Sequence, residues 1–299
     1  MEAFQMLDTE QCNPETKQID RLPTLEMVRL INQEDHRCAE AVSQVLPEIA
    51  KSVDQIETQL RQGGRLFYAG AGTSGRLGVI DASECPPTYG VSSDLVIGLI
   101  AGGPTALLKS VEGAEDSREL GKQDLIDHYF SGKDALVGIA ASGRTPYVLG
   151  AMDYAREAGA PVIALTCCRD SEMSRHADIT IMPLPGPEVI TGSSRMKSGT
   201  CQKMVLNMLS TCVMVKLGKV YGNLMVDVQA TNEKLIDRAI RIVQAATGVE
   251  KNKARQTLEQ CGYACKTAIV MLLLNIDARE AEKTLQAANG LVAKAVERT

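Results

Sequence analysis

Five short apolar segments alternate with longer helical segments between residues 65 and 182, and this alternation limits the possible folds more than any other feature. The apolar segments are nearly continuous and lie at 65–69, 95–100, 135–141, 161–166 and 178–182. Strands of this kind are buried on both faces, which is typical of a parallel sheet covered by helices. The pattern predicts an α/β fold, a three-layer α-β-α sandwich with a parallel sheet whose ligands bind at the carboxyl ends of the strands.

Helices are expected before, between and after these strands. Thr24 has the residue type that caps a helix, and it follows an irregular arm at 1–20. Further helices are expected near 49–62, 74–83, 104–129, 145–158 and 193–218. Gly218 supplies a stop for the last of these.

The rest of the chain, from residue 230 to 299, has helical spacing without a strand signal and predicts a small bundle of short helices. We therefore expect three regions along the chain. They are an N-terminal arm and helical region at 1–55, the α/β domain at 56–220 and a C-terminal helical region at 221–299.

Composition excludes several classes of function. The chain of 299 residues has a net charge of −5 and no long block of Lys or Arg, which argues against a nucleic-acid partner. No segment approaches the ~20 consecutive apolar residues that cross a bilayer, so no membrane partner is expected. The acidic segment 1–15 lacks the apolar core of a signal peptide, which favours a cytoplasmic location.

The metal-binding residue types are not arranged as ligands. Nine cysteines occur without C-x-x-C spacing, and in a reducing compartment they are expected to be small core residues. The three histidines, His36, His128 and His176, have no ligand spacing with one another or with a cysteine. We expect no metal and no other cofactor.

A G-x-G-x-x-G pattern, formed by Gly70, Gly72 and Gly75, follows the first strand and raises the possibility of a dinucleotide site. A Rossmann site also needs an acidic residue at the end of the second strand, to hold the ribose hydroxyls. That strand ends in "LIAGG" at 99–103, without a carboxylate. The sequence therefore argues against a dinucleotide.

Two related polar loops follow the first and third strands, and each one opens a helix. Their candidate ligand-binding residues are Thr73, Ser74, Gly75, Ser142, Gly143, Arg144 and Thr145. Hydroxyl groups and helix N-terminal amides suit a phosphate dianion, so the pair of loops predicts a single phosphate site. The alternative is that both are ordinary strand–helix turns with serine caps.

A third polar segment lies at 186–203, at the start of the helix expected over 193–218. Its candidate residues are Glu188, Ser193, Ser194, Arg195 and Lys197. Two hydroxyls and two cations at a helix N-terminus indicate an anion site. The alternative is a serine cap beside exposed basic residues.

Together these three segments resemble the sugar isomerase (SIS) domain, which binds phosphosugars through Ser/Thr-rich loops. The closer resemblance is to the N-acetylmuramic acid 6-phosphate etherase family, which shares a signature around 186–203 with the glucokinase regulatory protein. The matching segments cover nearly the whole chain, at 13–35, 70–90, 111–119, 138–148, 186–200 and 222–235.

The resemblance implies a lyase that cleaves the D-lactyl ether of N-acetylmuramic acid 6-phosphate in cell-wall recycling, without a cofactor. It implies a homodimer with sites near the interface and a C-terminal unit similar to ubiquitin-associated bundles. The family's two functional glutamates match Glu84 in "DASECPP" and Glu115 in "EGAED".

Such an elimination needs one protonated and one ionised carboxyl group. Pro86 and Pro87 should end the helix just after Glu84, where the negative helix end would favour the protonated acid. Glu115 follows Gly113 and should open the next helix, where ionisation is favoured and a base is expected. The residues alone do not separate Glu115 from its acidic neighbours, namely Glu112, Asp116 and Glu119.

Other assignments stay open at this level. Glu188 is a rival base, and Arg144, Arg195 and Lys197 are unranked partners for the lactyl carboxylate. A phosphosugar isomerase would use the same C2 proton chemistry without loss of lactate. A non-catalytic phosphosugar-binding regulator would resemble the glucokinase regulatory protein, although that family has two tandem SIS domains and only one is visible here.

Overall fold

The computed structural model of the chain describes residues 7–228 and 232–297. The chain divides into two compact units, one formed by Met1–Ser83 with Ser93–Ser210 and the other by Glu84–Ser92 with Thr211–Thr299. The three-region division expected from the sequence stays a prediction. The two units are considered one at a time below.

The first unit is built on a parallel sheet of five strands, as the apolar segments predict. The strands are β1 (Leu66–Gly70), β2 (Val96–Ile100), β3 (Ala135–Ile139), β4 (Val162–Leu165) and β5 (Ile179–Ile181). They lie in the order β2-β1-β3-β4-β5, and every neighbouring pair is parallel. The expected α/β architecture with a parallel sheet is therefore confirmed.

Helices cover both faces of this sheet. On one face Phe67 and Leu136 belong to a buried core that includes Val148 and Met152 of the helix Pro146–Glu157. On the other face a Cβ atom placed on Gly78 would lie 3.0 Å from Tyr68 Cβ, so the helix carrying Gly78 lies directly against β1. Burial on both sides explains why the strands have no polar alternation.

The α-helices of this unit begin and end close to the predicted bounds in most cases. They are Thr24–Ser43, Leu46–Arg61, Gly72–Tyr89, Arg118–Asp127, Pro146–Glu157 and Lys197–Lys216, of which Gly72–Tyr89 and Lys197–Lys216 continue into the second unit. The arm forms three short 3-10 turns, Asp8–Glu10, Pro14–Thr16 and Ile19–Arg21.

The single helix expected near 104–129 is wrong. The segment forms two 3-10 turns, Gly103–Leu107 and Ala114–Asp116, before the α-helix begins at Arg118. Gly102 and Gly113 precede the turns with positive φ angles of 87° and 73°, a conformation that interrupts a helix. The α-helix then starts where the Ser117 side chain accepts the Leu120 backbone N–H at 3.2 Å.

The expectation that two prolines end a helix just after Glu84 is also wrong. The helix Gly72–Tyr89 contains both Pro86 and Pro87. Its last turn is closed by Gly90, whose backbone N–H donates to the Pro86 carbonyl at 2.9 Å. Glu84 therefore precedes the last turn of the helix, and the negative helix end gives no reason for it to be the protonated acid.

The helix predicted over 193–218 begins later, at Lys197. Both oxygens of the Glu188 carboxylate accept backbone N–H groups of this first turn, from Lys197 and Ser198, each at 2.9 Å. This cap comes from nine residues upstream, so the local sequence does not reveal where the helix begins. At the other end Gly218 has a φ of 77°, as expected of a stop residue.

Five further helices lie wholly within the second unit among its described residues, at Glu233–Thr247, Lys251–Gln260, Cys265–Leu274, Ala278–Ala287 and Val292–Glu297. They share one apolar core, which confirms the small helical region expected from the sequence. A short antiparallel pair, β6 (Val220–Tyr221) and β7 (Leu224–Met225), has no counterpart in the prediction. Residues 229–231 of the motif at 222–235 lie outside the described residues.

None of the helices among the described residues combines the length and the apolar character that crossing a bilayer requires.

Candidate functional site

A cavity of about 520 Å³ lies at the carboxyl ends of β1 and β3. Its lining includes residues 71–74, which follow β1, and residues 140–142 and 144–146, which follow β3. Because β1 lies between β2 and β3 in the sheet, the chain changes direction across the sheet at this point. Open parallel sheets bind ligands at such switch points, as the sequence predicts.

Hydroxyl groups from all three polar segments that the sequence singles out converge on this cavity, which we call the main cavity. They belong to Thr73, Ser74, Ser142, Thr145 and Ser194. Arg144 adds a cation to the same lining. Thr145 is the residue before the helix Pro146–Glu157, and its side chain makes no capping hydrogen bond there. This combination of donors can bind an anion.

Ser74 is held in place by a residue from another helix. Its hydroxyl donates to Gln202 Oε1 at 2.8 Å, and both side chains are buried. Among the described residues, Gln202 Nε2 is a buried polar atom without a hydrogen-bond partner. Rotation of this amide would turn it into a donor to Ser74 Oγ, and the hydroxyl hydrogen would then be available to an anion in the cavity.

The helix that carries Thr73 and Ser74 is anchored by a buried carboxylate about two turns further along. Asp81 accepts hydrogen bonds from Asn207 at 2.8 Å, Ser210 at 3.2 Å and Tyr68 at 3.0 Å. Burial raises the pKa of the Asp81 carboxyl, and these three hydrogen bonds oppose that rise. The network ties the helix to β1 and to the helix Lys197–Lys216.

Two of the candidate glycines shape the loops and do not line the cavity. A Cβ atom on Gly75 would lie 2.6 Å from the Gly70 carbonyl oxygen, so the helix starts very close to the strand. Gly143 has a φ of 66°, and a Cβ atom there would lie 2.3 Å from Ser171 Cβ. Both positions therefore depend on glycine for backbone conformation or close approach.

Glu115 is the acidic residue that geometry separates from its neighbours. It lies in the turn Ala114–Asp116 and lines both the main cavity and a second, adjoining cavity of about 210 Å³. Glu112 lines only the second cavity, Asp116 lines only the main one, and Glu119 lines neither. Of these four carboxylates, Glu115 alone borders both spaces.

Glu84 is exposed on the helix Gly72–Tyr89 and is absent from the lining of both cavities. The structure of the described residues therefore brings one of the two candidate catalytic glutamates to the main cavity.

Four of the five candidates from the third polar segment do not line the main cavity. Glu188 is fully buried as the helix cap described above. Lys197 is fully buried as well, and its Nζ atom donates to Glu34 Oε2 at 2.6 Å and to the Pro185 carbonyl at 3.0 Å. Ser193 and Arg195 are not part of the cavity lining, so Ser194 is the member of this segment that reaches the cavity.

The arm supplies lining residues that sequence reasoning missed, namely Leu7, Thr9 and Glu10. Its position is fixed by distant contacts. Asn13 Nδ2 donates to Glu34 Oε2 at 2.8 Å, and the backbone N–H of Arg169 donates to Asp8 at 2.8 Å. Because these partners are far away in the sequence, no local pattern could have placed the arm at the site.

The part of the chain that the structure describes has no cluster of three or more His, Cys, Asp or Glu side chains able to hold a metal ion.

The fold and the hydroxyl-lined cavity define the class of protein, a SIS-domain protein. The SIS domain model matches residues 123–212, and the model of the glucokinase regulatory protein N-terminal SIS domain matches residues 48–156. The C-terminal lid domain of glucokinase regulatory protein matches residues 222–267. The fold is also similar to that of phosphoheptose isomerase from Neisseria gonorrhoeae, with a TM-score of 0.51 and 18% identity, over 64% of this chain and 98% of that one.

Full-length relatives narrow the class to one family. The chain is 58% identical to N-acetylmuramic acid 6-phosphate etherase of Aeromonas hydrophila over 286 aligned residues, and these residues make up 96% of each chain. It is 58% identical over 290 residues to N-acetylmuramic acid 6-phosphate etherase 1 of Vibrio cholerae, covering 97% of each. The chain belongs to the N-acetylmuramic acid 6-phosphate etherase family, which confirms the resemblance read from its motifs.

Proposed function

We propose that this chain cleaves the D-lactyl ether of N-acetylmuramic acid 6-phosphate and releases N-acetylglucosamine 6-phosphate and D-lactate. The observation that carries this proposal is the 58% identity to etherases over nearly the whole chain. A lyase of this kind serves the recycling of cell-wall amino sugars. The two alternatives, an isomerase and a non-catalytic regulator, are not favoured, because these relatives are named as etherases.

The main cavity supports a phosphosugar as the substrate. Its hydroxyl groups and Arg144 provide donors for a phosphate, and Thr73 and Ser74 lie in the first turn of a long helix whose dipole favours an anion. We therefore assign the phosphate to the end of the cavity formed by the loops after β1 and β3. In this assignment Gly143 allows the backbone conformation of its loop, and Gly75 allows the close approach of the helix to β1.

The chemistry needs a base next to the sugar. Once the ring opens, C1 is an aldehyde and the C2 proton becomes acidic, so a carboxylate can remove it. The bond from C3 to the lactyl oxygen then breaks as the C2–C3 double bond forms, and water adds back at C3. Glu115 is our proposed base, because its side chain lines the main cavity and the adjoining space.

The departing lactyl oxygen needs a proton, and we propose Glu84 as its donor, as the family resemblance implies. Glu84 does not line the main cavity of its own chain and is exposed. We therefore propose a homodimer in which Glu84 of one copy serves the cavity of the other. The substrate is the proposed small-molecule partner, and the expected cytoplasmic location and lack of nucleic-acid and membrane partners stay predictions.

The purified protein is expected to release D-lactate from N-acetylmuramic acid 6-phosphate. In ¹⁸O-water the label should enter the sugar at C3 and be absent from the lactate, because elimination leaves the ether oxygen on lactate. Enzymatic assay of D-lactate and mass spectrometry of both products measure this. An isomerised sugar that keeps its lactyl group, or binding without turnover, would instead support one of the two alternatives.

The dimer proposal predicts that two inactive variants restore each other. In a mixed dimer of Glu84→Gln and Glu115→Gln chains, one site would contain both native glutamates and the other would contain neither. Random exchange of chains should therefore give about a quarter of the native activity. If both glutamates served the site of their own chain, every site would carry one substitution and mixing would restore nothing.

A further inference from the structure

The second cavity, which we call the side cavity, adjoins the main cavity and is not explained by phosphosugar binding. It has a volume of about 210 Å³ and shares Ala71, Gly72 and Glu115 with the main cavity. The rest of its lining comes from Arg76 and from the segments around the two 3-10 turns, namely Ala101, Ala106, Ser110, Val111, Glu112 and Gly113.

The proposed reaction restricts where the leaving group lies. The base removes a proton from C2, and the lactyl group leaves from C3, the next carbon of the chain. The space that holds the lactyl group must therefore border the base. Glu115 lines both cavities, so the side cavity meets this condition when the sugar occupies the main one.

We infer that the side cavity binds the D-lactyl group and that Arg76 pairs with its carboxylate. This inference rests on the proposed function, because it assigns a part of that substrate. Arg76 is the cationic residue of the described side-cavity lining, whose other charged members are the carboxylates Glu112 and Glu115. A ligand with a negative charge would require that cation.

The Arg76 guanidinium is oriented by the backbone of the 3-10 turn Gly103–Leu107. Its Nε atom donates to the Leu107 carbonyl at 3.1 Å, and its Nη2 atom donates to the Ala106 carbonyl at 2.7 Å. The carbonyls fix the plane of the guanidinium, which has five N–H groups, so further donors can serve a carboxylate. A preset orientation also reduces the side-chain entropy that is lost on binding.

This assignment ranks the cations that the sequence left unranked. Arg144 lines the main cavity with the phosphate-binding hydroxyls, and Arg195 lines neither cavity. Lys197 is fully buried against Glu34. Arg76, one position after the G-x-G-x-x-G pattern, was not among the predicted partners.

The test compares two substrates in which only the carboxylate differs. One is N-acetylmuramic acid 6-phosphate, and the other is its lactamide, where a neutral carboxamide replaces the carboxylate. Arg76→Gln should lower kcat/KM about 10- to 100-fold on the first substrate, because a charge-assisted pair is lost. On the lactamide the same variant should match the native enzyme to within about threefold. Arg76→Lys keeps the charge and should show a smaller loss that is still confined to the carboxylate.

Arg156→Gln is the matched control, because Arg156 also donates to a backbone carbonyl, that of Arg175 at 3.3 Å. It lines an open cavity with Pro161 and Asp178, which directly precede β4 and β5. This cavity therefore lies at the amino ends of the strands, whereas the main cavity lies at their carboxyl ends. This control should not distinguish the two substrates.

Equal losses on both substrates in Arg76→Gln and Arg76→Lys would overturn the inference, since Arg76 would then act by holding the 3-10 turn. No loss on either substrate would also overturn it. Failure of the proposed function is a separate result, because the native enzyme would then release no D-lactate from the first substrate.

Discussion

Replacing Glu115 with glutamine is expected to lower kcat for D-lactate release by about 10²- to 10⁴-fold, the usual contribution of a general base. Glutamine has the same shape but cannot take the C2 proton, so KM should change little. Glu115 is exposed at the border of two cavities and does not support the core, so the variant should fold normally. Steady-state assay of D-lactate measures kcat and KM separately.

Glu119→Gln is the matched control for this prediction. Glu119 lies four residues further along the same acidic segment, is also exposed and lines neither cavity. Its variant should keep native kcat. In deuterated water the native enzyme should also exchange the C2 proton of the product, and Glu115→Gln should not. If Glu115→Gln exchanged the C2 proton at the native rate, another residue would be the base.

The sheet could be predicted because each of its strands is marked by the apolar residues of its own short segment. Each strand lies in a nearly continuous apolar run, so its position follows from hydropathy to within about two residues. The helix expected near 104–129 failed because helical composition does not reveal backbone conformation. Gly102 and Gly113 adopt positive φ angles there, and those angles break the segment into the turns that line the side cavity.

The site was predictable where its residues follow strands. Parallel strands end at one edge, so the loops containing Ser74 and Ser142 were expected to meet, and both line the main cavity. The third polar segment shows the limit of this reasoning. Lys197 lies next to the serines in sequence, but its partner Glu34 is 163 positions away, and only the fold reveals that pairing.

The second large effect concerns stability. Lys197 is fully buried, and Lys197→Met is expected to lower the free energy of unfolding by about 3–5 kcal/mol, because it leaves a buried carboxylate without its main partner. The Glu34 side chain is 2% exposed, and its remaining contacts are Asn13 Nδ2 at 2.8 Å and the half-exposed Arg37 Nη2 at 3.3 Å. These contacts should place the loss near the lower end of that range.

A double-mutant cycle separates this pairing from simple loss of packing. Glu34→Gln combined with Lys197→Met removes both charges, so the double variant should be more stable than the sum of the two single losses predicts, by about 1–3 kcal/mol. Urea denaturation followed by circular dichroism measures all four free energies. If Lys197→Met instead kept native stability and weakened phosphosugar binding, Lys197 would be a ligand of the substrate, as the sequence first indicated. Its burial against Glu34 argues for the structural role, in which it fixes the start of the helix Lys197–Lys216 against the helix Thr24–Ser43.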